Sequence, residues 1–138
     1  MSENSMGQSI LLKCSNCDNR ISLQTGQGIR DNDPERILSY FDSTSQEKIR
    51  QYLSDDIDRV MWSFTRMPAV CRLNRDVKAV PVFSVTTEKG TDRVVICGCD
   101  CGGEHDLYSE DELERGSAHV ICPRCGREME YSVTGYWD

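Results

Sequence analysis

Two cysteine pairs have the spacing of a metal-binding turn. Cys14 and Cys17 enclose Ser-Asn, and Cys122 and Cys125 enclose Pro-Arg with Gly126 directly after them. Two intervening residues let both thiolates point at one ion, while the tight turn aims backbone N–H groups at the sulfurs. Proline sets the second turn, and Gly126 tolerates a left-handed backbone. Both pairs therefore predict metal binding by thiolates, with Zn²⁺ as the expected ion.

A run of three alternating cysteines, Cys97, Cys99 and Cys101, lies between the pairs. On a regular strand all three would project from one face, with the end sulfurs too far apart for one ion, so the run must curl. A stretch of about 20 residues between Cys101 and Cys122 is usual between the two halves of a zinc ribbon. Our first prediction is one site made of Cys99, Cys101, Cys122 and Cys125.

The remaining cysteines would form a second site, because eight thiolates fill two tetrahedral sites. This count predicts two Zn²⁺ per chain, and the predicted ligands are Cys14, Cys17, Cys71, Cys97, Cys99, Cys101, Cys122 and Cys125. It depends on Cys71, which stands alone in an apolar segment, where a cysteine is commonly a small buried hydrophobe. If Cys71 is not a ligand, His105 or His119 is available to complete a set.

A rival arrangement joins the two ends of the chain. In it, Cys14 and Cys17 share an ion with Cys122 and Cys125, and the central run forms the second site with Cys71 or His105. The sequence leaves both arrangements open.

The composition agrees with a metal-stabilised fold. The 138 residues are 38% hydrophobic and 7% aromatic, which is a thin supply for a core, and thin cores usually need a covalent or metal clamp. Residues 1–9 carry no basic region, and the apolar run 10–12 is too short for a signal peptide or a membrane span. We therefore expect a cytoplasmic protein with reduced thiols, without disulfides and without membrane association.

Short strands are expected around the cysteines. Residues 10–25 read as strand, turn and strand, and 78–97 read as a hairpin in which Pro81 indicates an edge position. A last hairpin is predicted from 119–122 and 128–133, bent around the final pair.

A helical insertion is predicted at about 34–66. Asp33 before Pro34 is typical of a helix start, and Thr44 with Glu47 forms a capping box. An apolar stripe with helical spacing follows and would end before Pro68. It consists of Ile57, Val60, Met61 and Phe64. A second capping box, Ser109 with Glu112, predicts a short acidic helix that Gly116 would end.

The two pairs and the strands around them resemble the zinc-ribbon, or rubredoxin-like, class over about residues 10–25 and 92–134. The resemblance implies an α+β fold of small zinc-stapled β-hairpins, with the helical insertion outside it. Members of this class mostly serve as protein-binding or nucleic-acid-binding modules. We expect a disordered start at 1–9 and one zinc-binding domain over 10–138, with two possible lobes, 10–77 and 78–138.

Charge separates the functional hypotheses. The net charge of −7 disfavours a sequence-blind nucleic-acid binder. It favours a structural zinc protein that acts as a protein-interaction or regulatory adaptor, not an enzyme. The alternative is a nucleic-acid-associated transcription accessory factor that uses the basic segment 66–78. A zinc-dependent hydrolase or deaminase ranks below both, because the His-x-Glu half of the deaminase motif is missing.

Overall fold

The computed structural model describes residues 7–27, 33–55, 61–86 and 92–137. Within these ranges the chain is mostly β, with a few short helices and two antiparallel sheets. The strands are β1 (Gly7–Cys14), β2 (Arg20–Thr25), β3 (Met61–Cys71), β4 (Val77–Thr86), β5 (Asp92–Ile96), β6 (His105–Leu107) and β7 (Met129–Trp137). The helices are α1 (Pro34–Leu38), α2 (Ser43–Asp55) and α3 (Glu110–Arg115).

The first sheet, which we call the terminal sheet, has the strand order β2-β1-β7. The predicted hairpin over 10–25 is confirmed as β1 and β2, paired from Gln8↔Thr25 to Lys13↔Arg20. The other edge of β1 pairs with β7, from Gly7↔Trp137 to Cys14↔Met129. The two ends of the described chain therefore lie side by side.

The second sheet, the central sheet, has the order β5-β4-β3-β6. The predicted hairpin over 78–97 is confirmed as β4 and β5. β4 is an interior strand, yet Pro81 lies one residue before the stretch, 82–86, that pairs with β5. A proline has no N–H to donate to a ladder, and it is tolerated at that point because the pairing with β5 does not extend to residue 81.

The predicted helical insertion at about 34–66 is only partly correct. Residues 34–38 and 43–55 are helical, but β3 starts at Met61, so the end of the predicted apolar stripe is a strand. Phe64 pairs with Phe83 on β4 and is buried there. Burial against a neighbouring strand has overridden the helical spacing. Ile57 and Val60 lie outside the described residues.

The caps of the helices follow the sequence closely. Asp33 caps α1 by accepting from the N–H of Glu35, and Ser109 caps α3, which ends at Gly116 in a left-handed conformation. The expected cap at Thr44 is displaced: Asp42 accepts from the N–H of Ser45 at 2.8 Å. An aspartate at this position is as good an N-cap as threonine and places the helix start two residues earlier.

The sheets do not follow the two predicted lobes, 10–77 and 78–138. β1 pairs with β7 across that boundary, and the β3–β4 hairpin spans it. Gly7 to Ser9, which belong to the expected disordered start, are part of β1, and residues 1–6 lie outside the described ranges. The last predicted hairpin is reduced to the bridge Ile121↔Glu128, because β7 takes β1 as its main partner.

Within the described residues, three apolar clusters form the core. One packs the terminal sheet against α3 and includes Cys14 and Cys122, and a second places α1 and α2 against Phe64 and Phe83. A small third cluster surrounds Ala69 on the central sheet. Among the described residues, no helix is long and apolar enough to cross a membrane.

Candidate metal centres

Four cysteines from the two ends of the chain meet in one place, which we call the four-cysteine centre. The sulfurs of Cys14, Cys17, Cys122 and Cys125 all lie within 4.8 Å of one another. The Cys14 and Cys125 sulfurs are 3.3 Å apart, and those of Cys17 and Cys122 are 3.6 Å apart. All eight cysteines of the chain are free thiols. The pairing of β1 with β7 causes this meeting, because each pair sits at the end of one of these strands.

A second group, the three-cysteine centre, joins Cys71 at the end of β3 to Cys99 and Cys101 in the loop before β6. These sulfurs also lie within 4.8 Å of one another, with 3.4 Å between Cys71 and Cys101. The loop curls as predicted: Gly102 has φ 90° and donates its N–H to the Cys99 carbonyl at 2.9 Å.

Three turns share one backbone design. The N–H of Cys14 donates to the Asn19 carbonyl, that of Cys71 to Asp76 and that of Cys122 to Arg127, at 2.7 to 2.9 Å. In each turn the fourth residue after the cysteine has a positive φ. These residues are Asp18, Arg75 and Gly126. Cys71 is therefore the first residue of a turn built like those of the two cysteine pairs and not an isolated core thiol.

Backbone N–H groups point at the first sulfur of two of these turns, those at Cys71 and Cys122. Leu73 and Asn74 donate to Cys71 at 3.4 and 3.5 Å. The Asn74 N–H has the largest influence on the pKa of Cys71; together with the other donors it outweighs burial and lowers that pKa to about 7. For Cys122 burial has the largest influence and opposes ionisation, but the N–H groups of Cys125 and Arg124 prevail and lower its pKa to about 6. Both thiols are therefore prepared to act as thiolates.

The pKa of Cys17, in the same centre as Cys122, is shifted in the opposite direction. The N–H of Asn19 is the largest influence on the pKa of Cys17 and lowers it, but burial and hydrogen bonds to the other three thiols of the centre raise that pKa to about 12. Close sulfurs cannot all ionise unless a positive charge lies among them. The four-cysteine centre could therefore hold a metal cation.

Side-chain amides complete the surroundings of the sulfurs. Asn19 donates its amide to the Cys122 sulfur and Asn74 donates its amide to the Cys99 sulfur, both at 3.6 Å. Gly103 lies against the three-cysteine centre, since a Cβ there would be 2.8 Å from the Cys71 sulfur. The sequence interpretation missed all three residues. Asn74 lies three residues after Cys71, between two β-rich segments, which is the position of the second cysteine in the other turns. This spacing could have indicated a turn of the same kind.

The grouping differs from our first prediction. Cys122 and Cys125 meet Cys14 and Cys17, as in the rival arrangement, and not Cys99 and Cys101. Sequence separation alone suggested the wrong partners because the β1–β7 pairing joins segments more than 100 residues apart.

The structure leaves three of the considered residues outside both groups. The Cys97 thiol donates to the Tyr40 carbonyl at 3.7 Å and packs against the cluster under α1 and α2. Nδ1 of His105 lies 2.9 Å from the Cys97 carbonyl, and His119 lies 3.6 Å from the Glu128 carboxylate.

A cleft of about 370 Å³ lies between the two centres. Cys71 and Cys122 line it from either side, and Arg75, Tyr108 and Ile121 contribute to its walls. The cleft therefore brings one residue of each centre to a common surface.

Comparisons of the chain with protein-family models, with curated proteins and with solved structures returned no match. A function for the chain therefore rests on the chemistry of its two centres.

Proposed function

We propose that the protein is a structural zinc-binding protein that acts as a protein-interaction or regulatory adaptor in the cytoplasm. The observation that supports this most is the four-cysteine centre, in which residues 105 and 111 positions apart in the chain share one site. The free state of all eight cysteines agrees with a reducing compartment.

The donor set favours zinc. Four thiolates at about 2.3 Å from one ion in a tetrahedron lie about 3.8 Å from each other, close to the observed separations of 3.3 and 3.6 Å. A site of four sulfurs selects Zn²⁺ or iron, and the hard cations Mg²⁺ and Ca²⁺ are excluded because they take oxygen ligands. A site with four thiolates is also closed, which is typical of a structural role.

The position of this centre supports a role in stability. Cys14 and Cys122 belong to the same buried cluster as Ile10, Leu12 and Met129. A metal ion there would join the turn after β1 to the turn before β7 and so hold the terminal sheet together. Because ligands of this kind do not lie close together in an unfolded chain, metal binding free energy becomes folding free energy.

The cleft between the centres supports the adaptor role. Ile121 on its wall and Leu73 at the tip of the Cys71 turn are 42% and 68% exposed. Exposed apolar side chains beside a groove are typical of protein-binding surfaces. Arg75, also on the wall, would contact an acidic or carbonyl-rich partner segment.

The nucleic-acid alternative is less well supported. Its basic segment 66–78 contains Arg66, which stacks over the rings of Tyr40 and Trp137, and Arg72, which pairs with two carboxylates. Trp62 stacks on Phe83, with 5.9 Å between ring centroids, and so is not free to stack on a base.

A hydrolase role is also less well supported. It needs a carboxylate that is free to move a proton beside an open metal position. Glu104 and Asp106, two of the acidic residues near the three-cysteine centre, are instead paired with Arg72 at 3.0 and 2.7 Å.

Native mass spectrometry of the zinc-loaded chain tests the metal. We expect two zinc ions per chain, one fewer after Cys122→Ser, and one fewer after Cys71→Ser. Cys97→Ser is the matched control and should retain both ions. A wild-type chain that binds no zinc, or that has formed disulfides, would contradict the proposal.

Affinity capture with surface variants tests the adaptor role. Leu73→Asp and Ile121→Asp should lose a protein that the wild type retains at high salt, while both keep their zinc. Val133→Asp changes a side chain that is 37% exposed on the terminal sheet and serves as the control. Loss of the captured protein from all three variants, or capture of nucleic acid that salt releases, would count against an adaptor.

A further inference from the structure

The turn at Cys71 is a copy of the turn at Cys14 with one ligand replaced. Both have the same backbone hydrogen bond between the first and sixth residues, and both have a positive φ at the fifth. The fourth residue is Cys17 in one turn and Asn74 in the other. The position that supplies a thiolate to the four-cysteine centre therefore supplies an amide to the other.

Asn74 does not replace the missing thiolate as a ligand. Its Nδ2 donates to the Cys99 sulfur at 3.6 Å, and its Oδ1 accepts from the Asp76 N–H at 2.9 Å. An amide that donates to a ligand sulfur stabilises the thiolate but leaves the metal one donor short.

Among the described residues, two compete for this fourth position. The Cys97 thiol is turned towards the Tyr40 carbonyl, and neither ring nitrogen of His105 lies within 4.8 Å of all three sulfurs. The contact of His105 Nδ1 with the Cys97 carbonyl at 2.9 Å holds its ring. Its Nε2 is buried and has no hydrogen-bond partner among the described residues, so His105 is the stronger competitor.

The centre is accessible from outside. Cys101 is exposed, in contrast to the buried Cys71 and Cys99. Gly103 adds no side chain over the sulfurs, whereas a Cβ there would approach Cys71 and Cys101 to 2.8 and 3.4 Å. A small ligand can therefore approach an ion held at these three sulfurs.

We infer that the three-cysteine centre binds its metal ion through Cys71, Cys99 and Cys101, with a fourth coordination position that accepts a soft ligand from outside the chain, of the class of small thiols. This inference rests on the proposed function, since it requires a metal ion in both centres. A metal ion that already binds three thiolates is one that prefers soft donors, so a fourth thiolate is a suitable ligand for it. The incoming thiol loses its proton to solvent as its sulfur binds the metal, and no redox change occurs.

Cobalt substitution of the full chain tests this inference, because the intensity of thiolate-to-Co²⁺ charge transfer follows the number of sulfur–metal bonds. The wild type with two Co²⁺ should show seven such bonds and rise to eight, by about one seventh, when 2-mercaptoethanol is added. Asn74→Cys should start at eight and not respond. Asn74→Ser, which adds no thiolate, should respond like the wild type.

His105→Ala and Cys97→Ser separate the internal competitors. Both variants should respond to the thiol as the wild type does. Two results would overturn the open position while leaving two metal ions in place. One is a charge-transfer intensity of eight bonds in the wild type that falls in Cys97→Ser. The other is a wild type whose intensity does not rise with the added thiol unless His105 is replaced by alanine. Fewer than two Co²⁺ per wild-type chain would instead contradict the proposed function and this inference together.

Discussion

The two centres use the same turn but reach different degrees of completeness. The four-cysteine centre combines two full pairs, at Cys14 and at Cys122, whereas the three-cysteine centre combines a turn with Asn74 in place of a cysteine and the shortened pair Cys99-Asp-Cys101. Each centre has one exposed cysteine, Cys125 in the first and Cys101 in the second, but the first also contributes Cys14 and Cys122 to the buried cluster of the terminal sheet.

This difference shows how ligand count and place in the fold act together. A closed set of thiolates that joins strands from both ends of the chain stabilises the whole fold. A set of three thiolates between adjacent strands would order a local loop and leave a bound ion accessible. One backbone turn is thus compatible with a structural and an exchangeable site, depending on one side chain.

The largest effect is expected at the four-cysteine centre. Cys122→Ser should remove one zinc and several kcal/mol of unfolding free energy, since structural zinc sites contribute about 10 kcal/mol or more of binding free energy at neutral pH. Denaturant unfolding monitored by circular dichroism measures it. Cys97→Ser is the control. An equal loss of unfolding free energy in both variants would show that the four-cysteine centre contributes no more to stability than an ordinary buried thiol.

A smaller effect is expected at the other centre. Cys71→Ser should remove one zinc and cost about 1–3 kcal/mol, because three thiolates, one of them exposed, order only the turn and β6. Hydrogen exchange should show lost protection around residues 71–76 and 99–107 but retained protection in β1 and β7. If β1 and β7 also lose protection, the two centres are not independent.

Acid should release the metal from the two centres at different pH values. Metal binding requires thiolates, and thiols with lowered pKa values contribute stability at high pH that is lost as the pH falls towards their folded pKa. The pKa is lowered to about 6 for Cys122 and to about 7 for Cys71, so zinc should be retained at neutral pH and lost in acid. The three-cysteine centre offers one thiolate fewer and should therefore release its zinc at the higher pH. A zinc-sensitive dye should report two release steps in the wild type.

The acid titration has a simple control. Cys71→Ser should show only the step at lower pH. A single step in the wild type, or loss of the lower step in Cys71→Ser, would contradict the order of release.

Steric change at Gly103 should affect only one centre. Gly103→Ala places a methyl group 2.8 Å from the Cys71 sulfur and should cost about 1–3 kcal/mol in metal affinity at the three-cysteine centre. Competition with a chelator measures the affinity of each site. Gly135→Ala, where a Cβ meets nothing within 4 Å, is the control and should leave both affinities unchanged. Equal affinities in the Gly103 variant and the wild type would show that the site has spare room.

The smallest effect is expected for the ion pairs beside the three-cysteine centre. Arg72 contacts Glu104 at 3.0 Å and Asp106 at 2.7 Å, but all three side chains are more than half exposed. Arg72→Ala should therefore lower stability only slightly, and less at high salt. A loss of zinc in this variant would show that the ion pairs help to form the centre.

Local chemistry made much of the fold predictable. The hairpins over 10–25 and 78–97, the cap at Asp33 and the end of α3 at Gly116 all depend on neighbouring residues. The apolar stripe that ends at Phe64 gave the wrong element, because its burial is set by Phe83 on the facing strand. The spacing of four apolar residues within 57–64 carries no information about a contact with residue 83.

Seven of the eight cysteines predicted as ligands meet in the two candidate centres, Cys97 does not, and the grouping was not predictable from spacing. Spacing identified the pairs at Cys14 and Cys122, whereas their meeting depends on β1 lying beside β7. The role of Cys71 was ambiguous in the sequence because such a turn is defined by its backbone conformation and does not require a second cysteine. Asn74 fits that shape without supplying the second thiolate that would have made the turn visible in the sequence.

X-ray absorption at the zinc edge of the full chain tests most directly whether the two centres differ in their number of sulfur ligands. With two zinc ions bound and no added thiol, we predict an average of 3.5 sulfur ligands per zinc, and 4 in the single zinc retained by Cys71→Ser. An average of 4 sulfurs per zinc in the wild type would mean that both centres are complete and would contradict the account.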